Sequence, residues 1–165
     1  ILAPAAHATV WGAMIALAWQ LSLPTGKTKF TPQPLPKVTA AAGQSVTLQA
    51  TLLMQRPDRW GADGRPATYY WDPVTPSTVR EDVTVNWTIT LKGTQYCFTS
   101  TPGGRDKATL TWRIPKKIPA GTRGTYTASY AGGTAHHPDV SATGHDLKDA
   151  PLQGCSASGT IVVQK

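Results

Sequence analysis

The sequence predicts a mainly β chain, an antiparallel β-sandwich preceded by an N-terminal apolar helix. Three observations point there. Glycine and proline are both abundant, 15 and 14 in 165 residues, while charged residues make up only 15%. That balance favours many short strands and turns over a helical bundle. The stretch ATLTWRIPKKIPAGTRGTYTASYAGG, residues 108–133, reads as strand, proline-rich corner and strand. Its flanks alternate and are rich in β-formers, whereas residues 115–124 cannot continue a ladder. Finally, residues 1–26 carry no Lys, Arg, Asp or Glu and are separated from the rest by a proline-rich run.

In chain order, the first segment is AAHATVWGAMIALAWQLSL, from Ala5 to Leu23, ending at a Leu23-Pro24 break. Ala, Met, Leu and Gln favour helix, and about nineteen residues is the lower edge of a bilayer span. Trp11 and Trp19 fall on roughly one helical face with Ile15, and Gly12 with Ala16 forms a small-xxx-small pair suited to close helix contact. This segment reads as a membrane anchor through residues 4–23 or as a helix packed on another subunit. A strand is the competing reading, since Trp11, Ala13, Ile15, Leu17 and Trp19 also fit a period of two. Ala6-His7-Ala8 resembles the end of a cleavable signal. Lys27, Lys29 and Lys37 follow, a positive flank of the kind that faces the cytoplasm.

Residues 27–36, KTKFTPQPLP, read as an extended tether, because alternating prolines favour polyproline geometry. The domain then runs over residues 37–165. Residues 37–41 form a short strand and Gly43-Gln44 a turn. Residues 45–55 form a longer strand with Val46, Leu48, Ala50 and Leu52 on one side. Tyr126, just past the proline corner, is placed where its hydroxyl can tie the corner to upstream backbone.

These strands carry a resemblance. GQSVTLQATL resembles the first hairpin of an immunoglobulin-like domain of the bacterial or cell-surface kind. VTVNWTITLKG resembles its strand C, with Trp87 as the core tryptophan, and ATLTWRI, GTYTASY and GTIVVQK resemble strands E, F and G. The usual pair of inter-sheet cysteines is replaced by Ala50 and Ala128. The resemblance implies a sandwich and implies nothing about antigen or receptor function. A narrower stretch, TWRIPKKIPAGTRGTYTASYAGG, is similar to a corner in the β-sandwich domain that ends neutral ceramidases, without any catalytic domain beside it.

Cys97 and Cys155 belong to no CxxC pair, which disfavours cysteine-bound zinc. A disulfide between them would close a loop of roughly sixty residues, worth on the order of 4 kcal/mol in the chain-entropy model. On the immunoglobulin-like frame it would join the strand after C to the start of G. Such a bridge implies an oxidising, extracytoplasmic compartment, periplasm or cell surface. Two unpaired thiols are the alternative.

The span RPDRWGADGRPATYYWDPVTPST is longer than a minimal domain needs, and it reads as an irregular loop. Trp60, Tyr69, Tyr70 and Trp71 sit there among Pro, Gly, Asp and Arg, so it is the expected binding surface, for protein or carbohydrate. The bland reading is that these rings cap an open end of the sandwich. A second candidate is GGTAHHPDVSATGHDLKDAP, where His136, His137, Asp139, His145, Asp146 and Asp149 gather all but one of the four histidines. Imidazole and carboxylate can hold zinc or copper, but the spacing fits no standard ligand frame, and a solvated polar loop explains it equally.

The net charge is +7, yet the sixteen Lys and Arg residues are scattered, with Lys116-Lys117 the one adjacent pair. That excludes the clustered footprint nucleic acid requires. Gly26-Lys27-Thr28 has Leu21 where a phosphate loop needs glycine, and Gly154-Cys155-Ser156 has Ser158 where a nucleophile elbow needs one. Asn86-Trp87-Thr88 is formally a glycosylation sequon placed on a core strand. With no acid pair, Cys-His pair or cofactor fingerprint, the expectation is a non-catalytic structural or binding subunit without cofactor, whose partners are other protein subunits. The alternatives are a periplasmic metal-handling protein using the histidine loop, and an accessory β-sandwich domain of a secreted hydrolase.

Overall fold

Burial along the strands follows a period of two. In Val85–Leu91 every second residue is sealed, and Val85, Trp87, Ile89 and Leu91 are each 0% exposed. The β-branched and aromatic residues at these positions pack on a pleated surface, while the intervening threonines face outward. The computed structural model describes residues 24–76, 78–79, 82–102, 107–135 and 150–165.

Eleven strands are described: β1 (Thr28–Thr31), β2 (Val38–Ala41), β3 (Ser45–Trp60), β4 (Pro66–Pro73), β5 (Val85–Leu91), β6 (Thr94–Ser100), β7 (Lys107–Arg113), β8 (Arg123–Tyr130), β9 (Gly133–Ala135), β10 (Ala150–Leu152) and β11 (Cys155–Gln164). A five-stranded sheet runs β2-β11-β8-β5-β6. All its pairings are antiparallel except that of β2 with β11. The other main sheet is built on β3, which pairs with β1, β4 and β7. Thr51 is bridged to both Thr31 and Lys107, and Leu53 to both Lys29 and Pro73. A strand residue has one neighbour on each side, so β7 and β4 follow one another along the edge of β3 opposite β1. The small β9–β10 pair completes the described strands.

Inward residues of both main sheets merge into one core, a sandwich-like arrangement. Val46, Leu48, Ala50, Leu52 and Met54 come from β3, Ala108 and Trp112 from β7, and Trp87, Tyr126, Ala128, Ile161 and Val163 from the five-stranded sheet. Tyr96 of β6 meets Trp112 of β7 across the layers, ring centroids 5.1 Å apart. Trp87 stacks at 6.4 Å on Tyr126, and its indole N–H donates to Ser100 Oγ at 2.7 Å. Ala128 lies directly opposite Trp87 in the ladder. The small side chain at that position leaves room for the indole.

The segment read as a free tether is instead stitched into the fold. Thr25 N–H donates to the Gln55 carbonyl, Gln55 N–H donates to the Lys27 carbonyl, and Thr28–Thr31 pairs with β3. Phe30 and Leu35 are buried in the core, and Leu35 N–H donates to the Ser158 carbonyl at 2.9 Å. The reason is that Phe30 and Leu35 bring apolar area that a solvated polyproline run would leave in water. The expected N-terminal helix, with Trp11, Gly12, Ile15, Ala16 and Trp19, lies outside the described residues. No helix among the described residues is long and apolar enough to cross a membrane.

Candidate functional site: the β3–β4 arm

The span expected as an irregular loop is a β-hairpin. β3 continues past the core to Trp60, and β4 returns antiparallel from Pro66, pairing Gln55 with Trp71, Arg56 with Tyr70 and Pro57 with Tyr69. Residues Thr68–Trp71, TYYW, are strong β-formers, and the intervening Gly-Ala-Asp-Gly closes the tip. Gly61 N–H donates to the Arg65 carbonyl at 2.8 Å, and Arg65 N–H donates to Asp63 Oδ1 at 3.1 Å. The register shifts between Pro57 and Arg59, where a residue without an N–H and a bulge coincide. Beyond Gln55 the ladder to β1 has ended, so among the described residues the distal arm is two-stranded.

Directly paired residues share a face. Met54, sealed in the core, is bridged to Asp72, and two residues further on Arg56 is bridged to Tyr70. Arg56, Tyr70 and Asp72 therefore continue the inner face beyond the core. There Arg56 Nε lies 2.8 Å from Asp72 Oδ2, closing the inner face with a half-shielded ion pair. Thr68 Oγ1 donates to Asp58 Oδ2 at 3.3 Å further out. The outer face holds Leu53, Gln55 and Pro57 from β3, Tyr69, Trp71 and Pro73 from β4, and Lys29 from β1. The Lys29 ammonium sits 4.1 Å from the centroid of the Trp71 ring, close enough for a cation–π attraction. The Thr25 hydroxyl donates to Gln55 Oε1 at 2.8 Å and braces the same edge.

Of the four aromatic residues proposed from sequence, Tyr69 and Trp71 come together on the outer face. Tyr70 is turned to the inner face with Arg56. Tyr69 and Tyr70 are 46% and 45% exposed, the large exposed hydrophobics among the described residues. The Trp60 side chain lies outside the described set. Lys29 belongs to this site and was missed in the sequence, because its proline-rich context read as tether. The arm carries Arg56, Arg59 and Arg65 against Asp58, Asp63 and Asp72, so its charge balances locally.

Cys97 and Cys155 are free thiols, against the expected disulfide. Cys97 lies on β6 and Cys155 on β11, with β8 and β5 between them in the sheet. Three strand spacings alone, before the three-residue offset along the strands, put them at least about 14 Å apart, about twice the Cα separation a disulfide tolerates. The cysteines therefore give no argument for an oxidising compartment. Burial pushes the Cys155 thiol pKa up, partly offset by a hydrogen bond with Thr28. Cys97 is exposed at the middle of β6.

His136, His137, Asp139, His145, Asp146 and Asp149 lie outside the described residues. Among the described residues no three His, Cys, Asp or Glu side chains gather as a metal site. Asn86, expected within a core strand, is on β5 but on its outward side and half-buried. Comparisons of the chain with protein-family models, with curated proteins and with solved structures find no match.

Proposed function

We propose that this chain is a non-catalytic structural or binding subunit, an immunoglobulin-like sandwich that contacts a partner protein through the outer face of its β3–β4 arm. The observation that carries the reading is the arm itself. It extends two strands past the core and presents exposed Tyr69 beside Trp71, with Leu53 and two prolines around them. An isolated two-stranded ribbon is marginal in water, and aromatic rings flanked by balanced charges form the typical anchor of a protein contact.

The immunoglobulin-like part of the reading is supported by strand order. β1, β3 and β7 stand where strands A, B and E would be, and β2, β11, β8, β5 and β6 where A′, G, F, C and C′ would be, including the parallel β2–β11 pair. Protein is favoured over carbohydrate as the partner because Lys29 covers one face of the Trp71 ring. A sugar stacking there would have to displace the ammonium. The apolar run at residues 4–23 supports attachment at a membrane or to a neighbouring subunit.

Co-purification of the full chain from its own cells, with Tyr69→Ala and Trp71→Ala beside the wild type, tests the proposal. Loss of the same companion protein from both folded variants is expected. Undiminished recovery with both variants refutes it.

A further inference from the structure

The five-stranded sheet ends at β6, and that edge is guarded differently from the others. β2 is four residues long and follows Pro36 and Lys37, and β1 is four residues long and carries Lys29. β7 begins with Lys107 and ends with Arg113, and β4 begins and ends with proline. Short length, charge and proline are the usual defences against edge-to-edge pairing. β6, Thr-Gln-Tyr-Cys-Phe-Thr-Ser, has seven residues and none of these defences.

Which of its backbone groups have no strand partner among the described residues can be assigned from the turn that precedes it. Lys92 and Gly93 have φ of 49° and 77°, a two-residue connection of type I′ in which Leu91 and Thr94 form the closing hydrogen-bonded pair. Alternation from there makes Ile89–Tyr96 and Trp87–Phe98 the hydrogen-bonded pairs. The N–H and C=O groups of Gln95, Cys97 and Thr99 therefore point away from β5.

We infer that β6 is a self-association edge, at which a second copy of this chain pairs antiparallel through its own β6, centred on Cys97. The occupant is argued from the strand's symmetry. Reading outward from Cys97 in either direction gives an aromatic residue (Tyr96, Phe98), a polar one (Gln95, Thr99) and a hydroxyl (Thr94, Ser100). A two-fold axis through Cys97 therefore sets like against like, as an isologous contact requires. Cys97 faces its own copy, Gln95 faces Thr99, and Tyr96 faces Phe98. About six backbone hydrogen bonds form, from the outward groups of three residues on each strand. Tyr96 and Phe98, half-buried at the rim of the core, gain cover and an aromatic cross-strand partner. The result is a continuous ten-stranded sheet from two copies.

Sedimentation of the full chain across a dilution series tests this, comparing wild type, Cys97→Ser, Cys97→Lys and Gln95→Pro. Lysine at position 97 sets like charges directly opposite across the axis. Proline at 95 deletes an N–H that points away from β5, so the β5–β6 ladder is left intact. Wild type and Cys97→Ser should form a dimer at high concentration. Cys97→Lys and Gln95→Pro, with circular dichroism unchanged, should weaken association by about tenfold or more. A wild type that stays monomeric throughout the series overturns the inference. So does self-association that either variant leaves intact, the behaviour expected if residues 4–23 were responsible; if one variant unfolds, the other decides.

Discussion

The Tyr126 hydroxyl donates to the main-chain carbonyl of Pro36 at 2.5 Å, across 90 positions of sequence. The hydroxyl ties back to upstream backbone, as its position just past the proline corner implies, with Pro36 as the partner. It fastens the β1–β2 connection onto β8, beside the Leu35–Ser158 backbone bond. The ring lies against Gly159, where an added Cβ would be 2.6 Å from a ring carbon and 2.8 Å from the Leu35 carbonyl oxygen. Tyr126→Phe should cost about 1 kcal/mol, the net worth of one neutral hydrogen bond. Gly159→Ala should cost about 1–3 kcal/mol through overpacking. Urea midpoints at constant slope measure both. A neutral Gly159→Ala would contradict this packing.

Stability should fall on the alkaline side. Burial raises the pKa of Tyr126 above its ordinary 10.0 and that of Cys155 above its ordinary 9.0. An acid whose folded pKa is raised adds stability that is complete below the unfolded value and is lost as pH climbs through the folded one. The decline therefore begins near pH 9 for Cys155 and near pH 10 for Tyr126. Cys155→Ser should remove the earlier part of it, and Tyr126→Phe the later part. Thermal midpoints from neutral to alkaline pH read both effects.

The two thiols should react independently. Cys97 is exposed and Cys155 is partly buried with a raised pKa, and the thiolate is the reactive form. In the native protein, without reductant, an alkylating reagent should label Cys97 rapidly and Cys155 slowly. Unfolding without reductant should then expose both. A species that accepts no label until reduced would show a bridge that the strand order forbids.

The indole of Trp87 is fully enclosed, and its N–H has Ser100 Oγ as partner. Trp87→Ala should cost about 3–5 kcal/mol by leaving a cavity in the core. Ser100→Ala should cost about 1–3 kcal/mol by leaving a buried donor unpaired. Denaturant unfolding of the two variants checks the order of these effects.

The parts of this fold legible in the sequence are those where one signal dominates. Trp87 sits in strict alternation, and residues 108–130 contain two alternating strands around a corner that no ladder can cross. The sequence places β3 and β11 but cuts both short, because Arg56, Pro57 and Asp58 at one end are uniformly polar or helix- and strand-breaking, and Cys155 to Ser158 at the other, although they alternate, are small and serine-rich, a composition typical of turns. Phe30 and Leu35 were hidden by prolines that favour extended chain, since their burial depends on β3 and β11 arriving from far away in sequence. In sequence the β3–β4 arm reads as a loop for a similar reason. A two-sided ribbon has no buried face to impose alternation, so Tyr69 and Tyr70 are adjacent, and only pairing with Pro57 and Arg56 separates them. The aromatic composition located the site, while its geometry required the register and Lys29.

Tyr69 also offers the most direct test of the functional reading. A photo-crosslinking amino acid placed at position 69 of the full chain, and separately at Thr127 on the outward side of β8, compares two exposed sheet faces in the native cell. The arm reading predicts a discrete protein adduct from position 69 and none from position 127. No adduct from position 69, or equal adducts from both, would contradict it.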